Sequence, residues 1–150
     1  MTGARRFTEL AAWQRAHELY LLSEELLNRP RVRRDVGFTD QLSRASASGP
    51  RNIAEGFGRY RPKENAQFVR VAKGSANEVL ALFIEAKDKG YLTERDFPRF
   101  QTTAKRTIGT LVPYLRYLDG CDPNGPWNPA KRKQPKQKRR RLTNRQGPKS

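Results

Sequence analysis

Residues 62–90, PKENAQFVRVAKGSANEVLALFIEAKDKG, repeat their apolar positions at intervals of three and four. Phe68, Val71, Ala72, Ser75, Val79, Leu82, Phe83 and Ala86 fall on one face of a helix of 3.6 residues per turn. Val69, Leu80 and Ile84 widen that face well beyond a single stripe. Pro62 suits a first helical turn, where its missing N–H costs nothing. Gly90 stands where a left-handed residue would end the helix.

Three more segments of the same period lie around it. The first runs from about Thr8 to Asn28 and is closed by Arg29-Pro30. Leu10, Trp13, Ala16, Tyr20 and Leu27 share one projected face, and Leu19, Leu22 and Leu26 form a second stripe nearly opposite. The next, about Phe38 to Arg59, aligns Phe38, Leu42, Ala45, Gly49 and Ile53. Its small-residue centre invites a close neighbour, and Pro50 is expected to kink or interrupt it. The last is opened by Thr93 with Glu94 and Asp96, a cap followed by an acidic first turn. It continues through Phe97, Phe100, Ala104, Ile108, Leu111, Leu115 and Leu118 to Gly120, with an expected bend at Pro113. Nothing alternates like a strand, and the connections are short. The reading is all-α: an up-down antiparallel four-helix bundle over residues 1–122.

Charge divides the chain at that boundary. Of its 31 Lys and Arg, ten lie in residues 123–150, which hold none of the 15 acids. The stretch AKRKQPKQKRRRLTNRQGPKS has too few apolar groups to offset the entropy of ordering, so residues 123–150 read as a disordered basic C-terminal tail. A net charge of +16 points to a polyanionic partner, nucleic acid first and an anionic membrane surface second. No apolar run is long enough to span a bilayer, no secretory signal opens the chain, and the one cysteine, Cys121, excludes an internal disulfide. A soluble cytoplasmic protein that binds nucleic acid and no membrane is the expectation.

Catalytic motifs find little support. The lone histidine, His17, lacks the Glu three residues before it that a di-iron bundle requires. It lies beside Trp13 and Tyr20, on what reads as the core-facing side of the first helix. Glu18, Glu55 and Glu78 are too scattered for a carboxylate metal site, and Gly56-Phe57-Gly58 lacks the strand–turn–helix setting of a phosphate loop. The chain is expected to be non-enzymatic, with no cofactor and no metal.

Candidate phosphate-binding residues fall in two sets. In the tail they are Lys131, Arg132, Lys133, Lys136, Lys138, Arg139, Arg140 and Arg141. In the bundle they are Arg44, Arg51, Arg59, Arg61, Lys63, Arg70 and Lys73. Flexible cations of this kind gain affinity by releasing counterions from phosphates, without reading sequence. Arg51 and Arg59 each lie four residues from Glu55, so ion pairing is the competing use for both. Leu19, Leu22 and Leu26 with Leu80 and Ile84 would leave an apolar patch on an isolated bundle, an expected oligomer interface; scattered surface leucines are the alternative.

Residues 50–59, Pro-Arg-Asn-Ile-Ala-Glu-Gly-Phe-Gly-Arg, carry more than a helix end. With Ser48 they resemble the S-x-P-x-N-I-A-E-G-x-G-R signature of four-helix-bundle proteins encoded in intervening sequences of bacterial large-subunit ribosomal RNA genes. Residues 10–19 (LAAWQRAHEL), 41–45 (QLSRA), 63–68 (KENAQF) and 72–78 (AKGSANE) agree with the same family, in order, over roughly residues 6–119. The resemblance implies an up-down bundle assembled as a ring-like homopentamer in a non-catalytic role. It also implies kinship with accessory proteins of diversity-generating retroelements, which bind nucleic acid and cooperate with a reverse transcriptase. A protein-interaction scaffold for such an enzyme is the alternative function. The family-matching positions are Trp13, Asn52, Glu55, Gly56, Gly58, Gly74, Ser75 and Glu78. Gly74, one turn from Glu78, is placed to admit a partner of that carboxylate, and Asn52 with Glu55 to close the end of the second helix. The basic tail and Pro113 depart from the family pattern.

Overall fold

The computed structural model describes residues 3–125. A 3₁₀ turn, Phe7–Glu9, leads into α1, Ala11–Leu27; then come α2, Pro30–Arg33, α3, Val36–Phe57, α4, Pro62–Asp88, and α5, Phe97–Asp119. No strand occurs among the described residues.

The long helices form a closed square in which α1 touches α3 and α5, and α4 touches the same two. Contacts between them run in opposite senses along each pair. Ser48 meets Ser75 and Gly56 meets Asn65 between α3 and α4. Arg15 meets Thr107, and Glu25 meets Arg99, between α1 and α5. Every neighbour is therefore antiparallel, as short connections require. Phe83 and Phe100, both fully buried, pack edge to face with centroids 5.0 Å apart between α4 and α5.

Two helix boundaries have a plain local cause, the end of α4 and the start of α3. Gly90, at φ +74°, ends α4 in a Schellman arrangement: Tyr91 N donates to Ala86 O at 2.8 Å and Gly90 N to Lys87 O at 3.0 Å. Thr93 Oγ1 accepts from Asp96 N at 3.1 Å, but this bond closes the turn at 94–96. Helix α5 starts one turn later than expected, from Asp96, with no side-chain cap and no acid in its first turn. At the start of α3, Asp35 Oδ1 accepts from Phe38 N. Hydrogen bonds from Lys89, from the Tyr91 hydroxyl and from that N–H hold the Asp35 carboxyl at about 2, against an ordinary 3.8.

The structure corrects several expectations. Leu19, Leu22 and Leu26 lie inside the bundle, at 3%, 8% and 0% exposure, so they form no surface patch. With Ala12, Ala16 and Ser23 they centre one wide buried arc, because α1 packs on two neighbours at once. Leu80 is half-buried against the core, and only Ile84 of the expected interface is exposed, at 44%. Trp13, His17 and Tyr20 lie at the edge of the arc, half-buried, rather than on its core side. Neither proline ends its helix: α3 continues through Pro50 to Phe57 and α5 through Pro113 to Asp119. Before Pro50 stands Gly49, which has no Cβ to clash with the proline ring. The short α2 has no counterpart in the periodicity. Its segment caps α4 instead, with Arg29 donating to Tyr91 O at 2.8 Å and Arg31 to Gly90 O and Lys89 O at 3.3 Å. The expected tail lies, from residue 126 on, outside the described residues.

Candidate nucleic-acid interface

The small residues of α3 and α4 form a seam that leaves no slack. A Cβ on Gly56 would run into Asn65 Oδ1 and stand 2.9 Å from Phe68 Cβ. Asn65 is fully buried, and its Nδ2 donates to the Tyr114 hydroxyl at 3.0 Å, while its Oδ1 accepts no hydrogen bond among the described residues. Burial pushes the Tyr114 phenol up to about 12. Further along the seam, Ser75 Oγ lies 2.8 Å from Ser48 Oγ, and Asn52 Nδ2 donates to Ser48 O at 2.8 Å and to Ser48 Oγ at 3.0 Å. Asn52 therefore bonds back one turn and does not close the end of α3; Gly58 N does so on Ala54 O and Glu55 O.

Four of the other motif positions, Glu55, Gly58, Gly74 and Glu78, face outward. Glu55 pairs with Arg59 at 2.7 Å. Gly58 caps α3 in an ordinary right-handed conformation, φ −70°. Gly74 has open space where a Cβ would stand, and Glu78 is exposed with no partner among the described residues. Trp13 packs on the core and stacks on His17, centroids 4.7 Å apart and planes 10° apart.

Among the bundle cations, three are engaged. Arg44 is bidentate on Asp40, at 3.2 and 2.7 Å. Arg59 lies over the Phe68 ring at 4.9 Å as well as on Glu55. Arg70 reaches Asp119 of α5 at 2.7 Å. Arg51, Arg61 and Lys63 are exposed and have no ion pair among the described residues, and Lys73 is half-buried without one. The helices do not gather these seven on one face. Arg59 turns toward α4, whereas Arg70 on α4 turns toward α5.

What the structure does gather is one end of the bundle. The α3–α4 connection carries Arg59 and Arg61, and α4 begins there with Pro62 and Lys63. The last turn of α5 returns to the same place, where Leu118, Asp119, Cys121 and Pro123 share a shallow cavity of ≈ 170 Å³ with Pro62 and Lys63. Pro123, close to the last described residue, thus lies beside Lys63. Lys131, Arg132, Lys133, Lys136, Lys138, Arg139, Arg140 and Arg141 lie outside the described residues. Arg31, which sequence reasoning passed over, serves the α4 terminus; the arginine run around Pro30 was the signal that could have marked it.

No helix among the described residues is long and apolar enough to cross a membrane. No curated protein matches the chain at a significant level. A family model, that of the 23S rRNA-intervening sequence protein, matches residues 8–112, which span α1 through most of α5. With the ordered blocks of sequence folded as one antiparallel helical square, the chain belongs to the 23S rRNA-intervening sequence protein family.

Proposed function

We propose that the protein is a non-enzymatic, homo-oligomeric bundle, pentameric as the family resemblance implies, that binds RNA or DNA through phosphate contacts. The observation that carries this reading is the placement of charge. Ten cations and no acid follow residue 122, and Pro123 lies beside Lys63, two residues along the chain from Arg61. Arg61 and Lys63, exposed and unpaired among the described residues, stand ready to extend a tail contact onto the bundle. Arg44, Arg59 and Arg70 sit in exposed ion pairs, which a phosphate can compete for at little cost. Copies held in one assembly would raise the effective concentration of their tails along one strand.

Support for self-association comes from exposed apolar side chains, Val71 and Ile84 on α4 at 51% and 44%, Leu21 on α1 at 54% and Val36 on α3 at 74%. An accessory role beside a reverse transcriptase remains part of the proposal, as does a cytoplasmic location. The test is binding of a labelled RNA at rising salt, with light scattering to count subunits. Engagement of six or more phosphates gives a loss of about 10³-fold between 50 and 200 mM salt. Removal of residues 123–150 should abolish most of the binding and leave the subunit count unchanged. Salt-independent binding, or an oligomer indifferent to RNA, would set the phosphate reading aside in favour of a protein scaffold.

A further inference from the structure

Four rings run along the start of the molecule. Phe7 meets Trp13 edge to face at 5.3 Å, Trp13 stacks on His17 at 4.7 Å, and His17 lies 6.1 Å from Tyr20 with planes 27° apart. Trp13 is anchored on the core. Beyond it, His17 and Tyr20 form one wall of a shallow cavity of ≈ 190 Å³ between α1 and α3, completed by Ala47, Pro50 and Arg51. Among the described residues the His17 ring nitrogens, the Tyr20 hydroxyl and the Arg51 guanidinium have no hydrogen-bond or ion-pair partner.

Each part of that cavity matches one part of a nucleotide. The Tyr20 ring ends the stack and lines the cavity, and Ala47 and Pro50 form its apolar floor. The edge of His17, whose faces are taken by Trp13 and Tyr20, brings ring nitrogens to it as donor and acceptor. Arg51, held four residues from Glu55 yet unpaired with it, supplies a free positive charge at the rim. The cavity is smaller than the ~300–1,000 Å³ of sites that enclose whole small molecules, so it suits a single flat group projecting from a longer chain. Such a group is presented by single-stranded nucleic acid, whose unpaired bases stack on aromatic side chains while phosphates meet Arg.

We infer that the His17–Tyr20 cavity is a stacking site for an unpaired base of single-stranded nucleic acid, with Arg51 taking the adjacent phosphate. This rests on the nucleic-acid reading above and adds to it a preference for unpaired strands. His17 is the only histidine, so its ring protons give a single-residue probe in the tag-free, full-length protein. The experiment titrates that protein, at fixed pH, with a single-stranded oligonucleotide, with the same sequence as a duplex, and with inorganic polyphosphate.

The expected result is a ring-current shift of the His17 proton resonances with the single strand and none with polyphosphate. Tyr20→Leu should weaken single-strand binding about tenfold, as loss of one stacking partner does. Tyr20→Phe should retain it, and polyphosphate affinity should be equal in all three proteins. Arg51→Gln should weaken the single strand and leave the shift at saturation intact. Single-strand binding that moves neither the His17 resonances nor with Tyr20→Leu overturns the stacking site and leaves phosphate binding standing. Failure of all three polyanions to bind overturns both readings. His17 shifts that follow protein dilution instead of added nucleic acid assign the cavity to a second copy of the chain and also overturn the inference.

Discussion

The two sides of α4 treat their small residues in opposite ways. On the inner side, the approach of Gly56 from α3 is so close that Asn65 and Phe68 leave no room for a methyl group. On the outer side, Gly74 faces open space, one turn from an unpartnered Glu78. Both glycines lie in blocks that match the family. The bundle by itself accounts for the first, since the packing of two helices demands it. It gives no account of the second, because a glycine in an exposed helix interior costs ~1 kcal/mol relative to alanine without any packing return. A residue that the isolated chain does not need is the kind of residue an assembly would use.

That contrast can be broken most severely at Gly56. Gly56→Ala forces the seam apart against a fully buried Asn65, and a loss of ~3 kcal/mol is expected in chemical denaturation, at the upper end of overpacking costs. A change within about 0.5 kcal/mol would mean that α3 and α4 slide freely and that the seam is not closed.

Tyr114→Phe probes the same seam from α5. It leaves the buried Asn65 Nδ2 without its acceptor, at an expected cost of ~2 kcal/mol. The phenol also sets an alkaline limit. Its folded value of about 12 lies above the ordinary 10.0, so the folded state holds the proton that the unfolded state releases. Stability from this source is complete below pH 10 and is lost as pH rises toward 12. Denaturation midpoints measured across that interval should fall in the parent and fall less in Tyr114→Phe.

Gly74→Ala sharpens the outer side. On an isolated bundle it should stabilise by up to ~1 kcal/mol, through helix propensity alone. Melting at low and high protein concentration, paired with light scattering, separates the cases. Stabilisation at every concentration leaves Gly74 at a free surface, whereas a concentration-dependent loss with fewer subunits places it in an interface.

The smallest effect belongs to an exposed polar contact at the far end of the bundle, where Asp35 receives Lys89 and Tyr91 at 2.8 and 2.7 Å. Its folded pKa lies below the unfolded 3.8, so its contribution is present above that pH and is lost as pH falls to about 2. The gap in stability between the parent and Asp35→Asn should close over that interval. A gap that persists at pH 2 would assign the effect to helix capping by the side chain and not to its charge.

Much of this fold was legible. The period of residues 62–90 found α4 with both its ends, because Pro62 and Gly90 act through backbone geometry that few other residues satisfy. The periods of α3 and α5 were equally plain, and the interruption expected as one outcome at Pro50 does not occur. Breaking a helix is a local preference, and packing on both flanks outweighed it at Pro50. The failure at α1 was of another kind. Its apolar residues cover more than one stripe, and a projection cannot say which part of a wide arc faces neighbours. Leu19, Leu22 and Leu26 were placed outside and are buried, while Trp13, His17 and Tyr20 were placed on the core side and are half-buried at its edge.

By itself the sequence determined the helical class, the helix ends, the division of charge at about residue 122 and, through its ordered blocks, the family. Those are properties of near neighbours in the chain, set by period, capping and composition. Tertiary structure alone decided that Gly56 seats against Asn65, that Arg31 caps α4, and that Pro123 leaves the bundle beside Lys63. It alone set His17 and Tyr20 against Pro50 and Arg51. These pairings join residues 9 to 60 positions apart, and only the antiparallel closing of the four long helices brings them into contact.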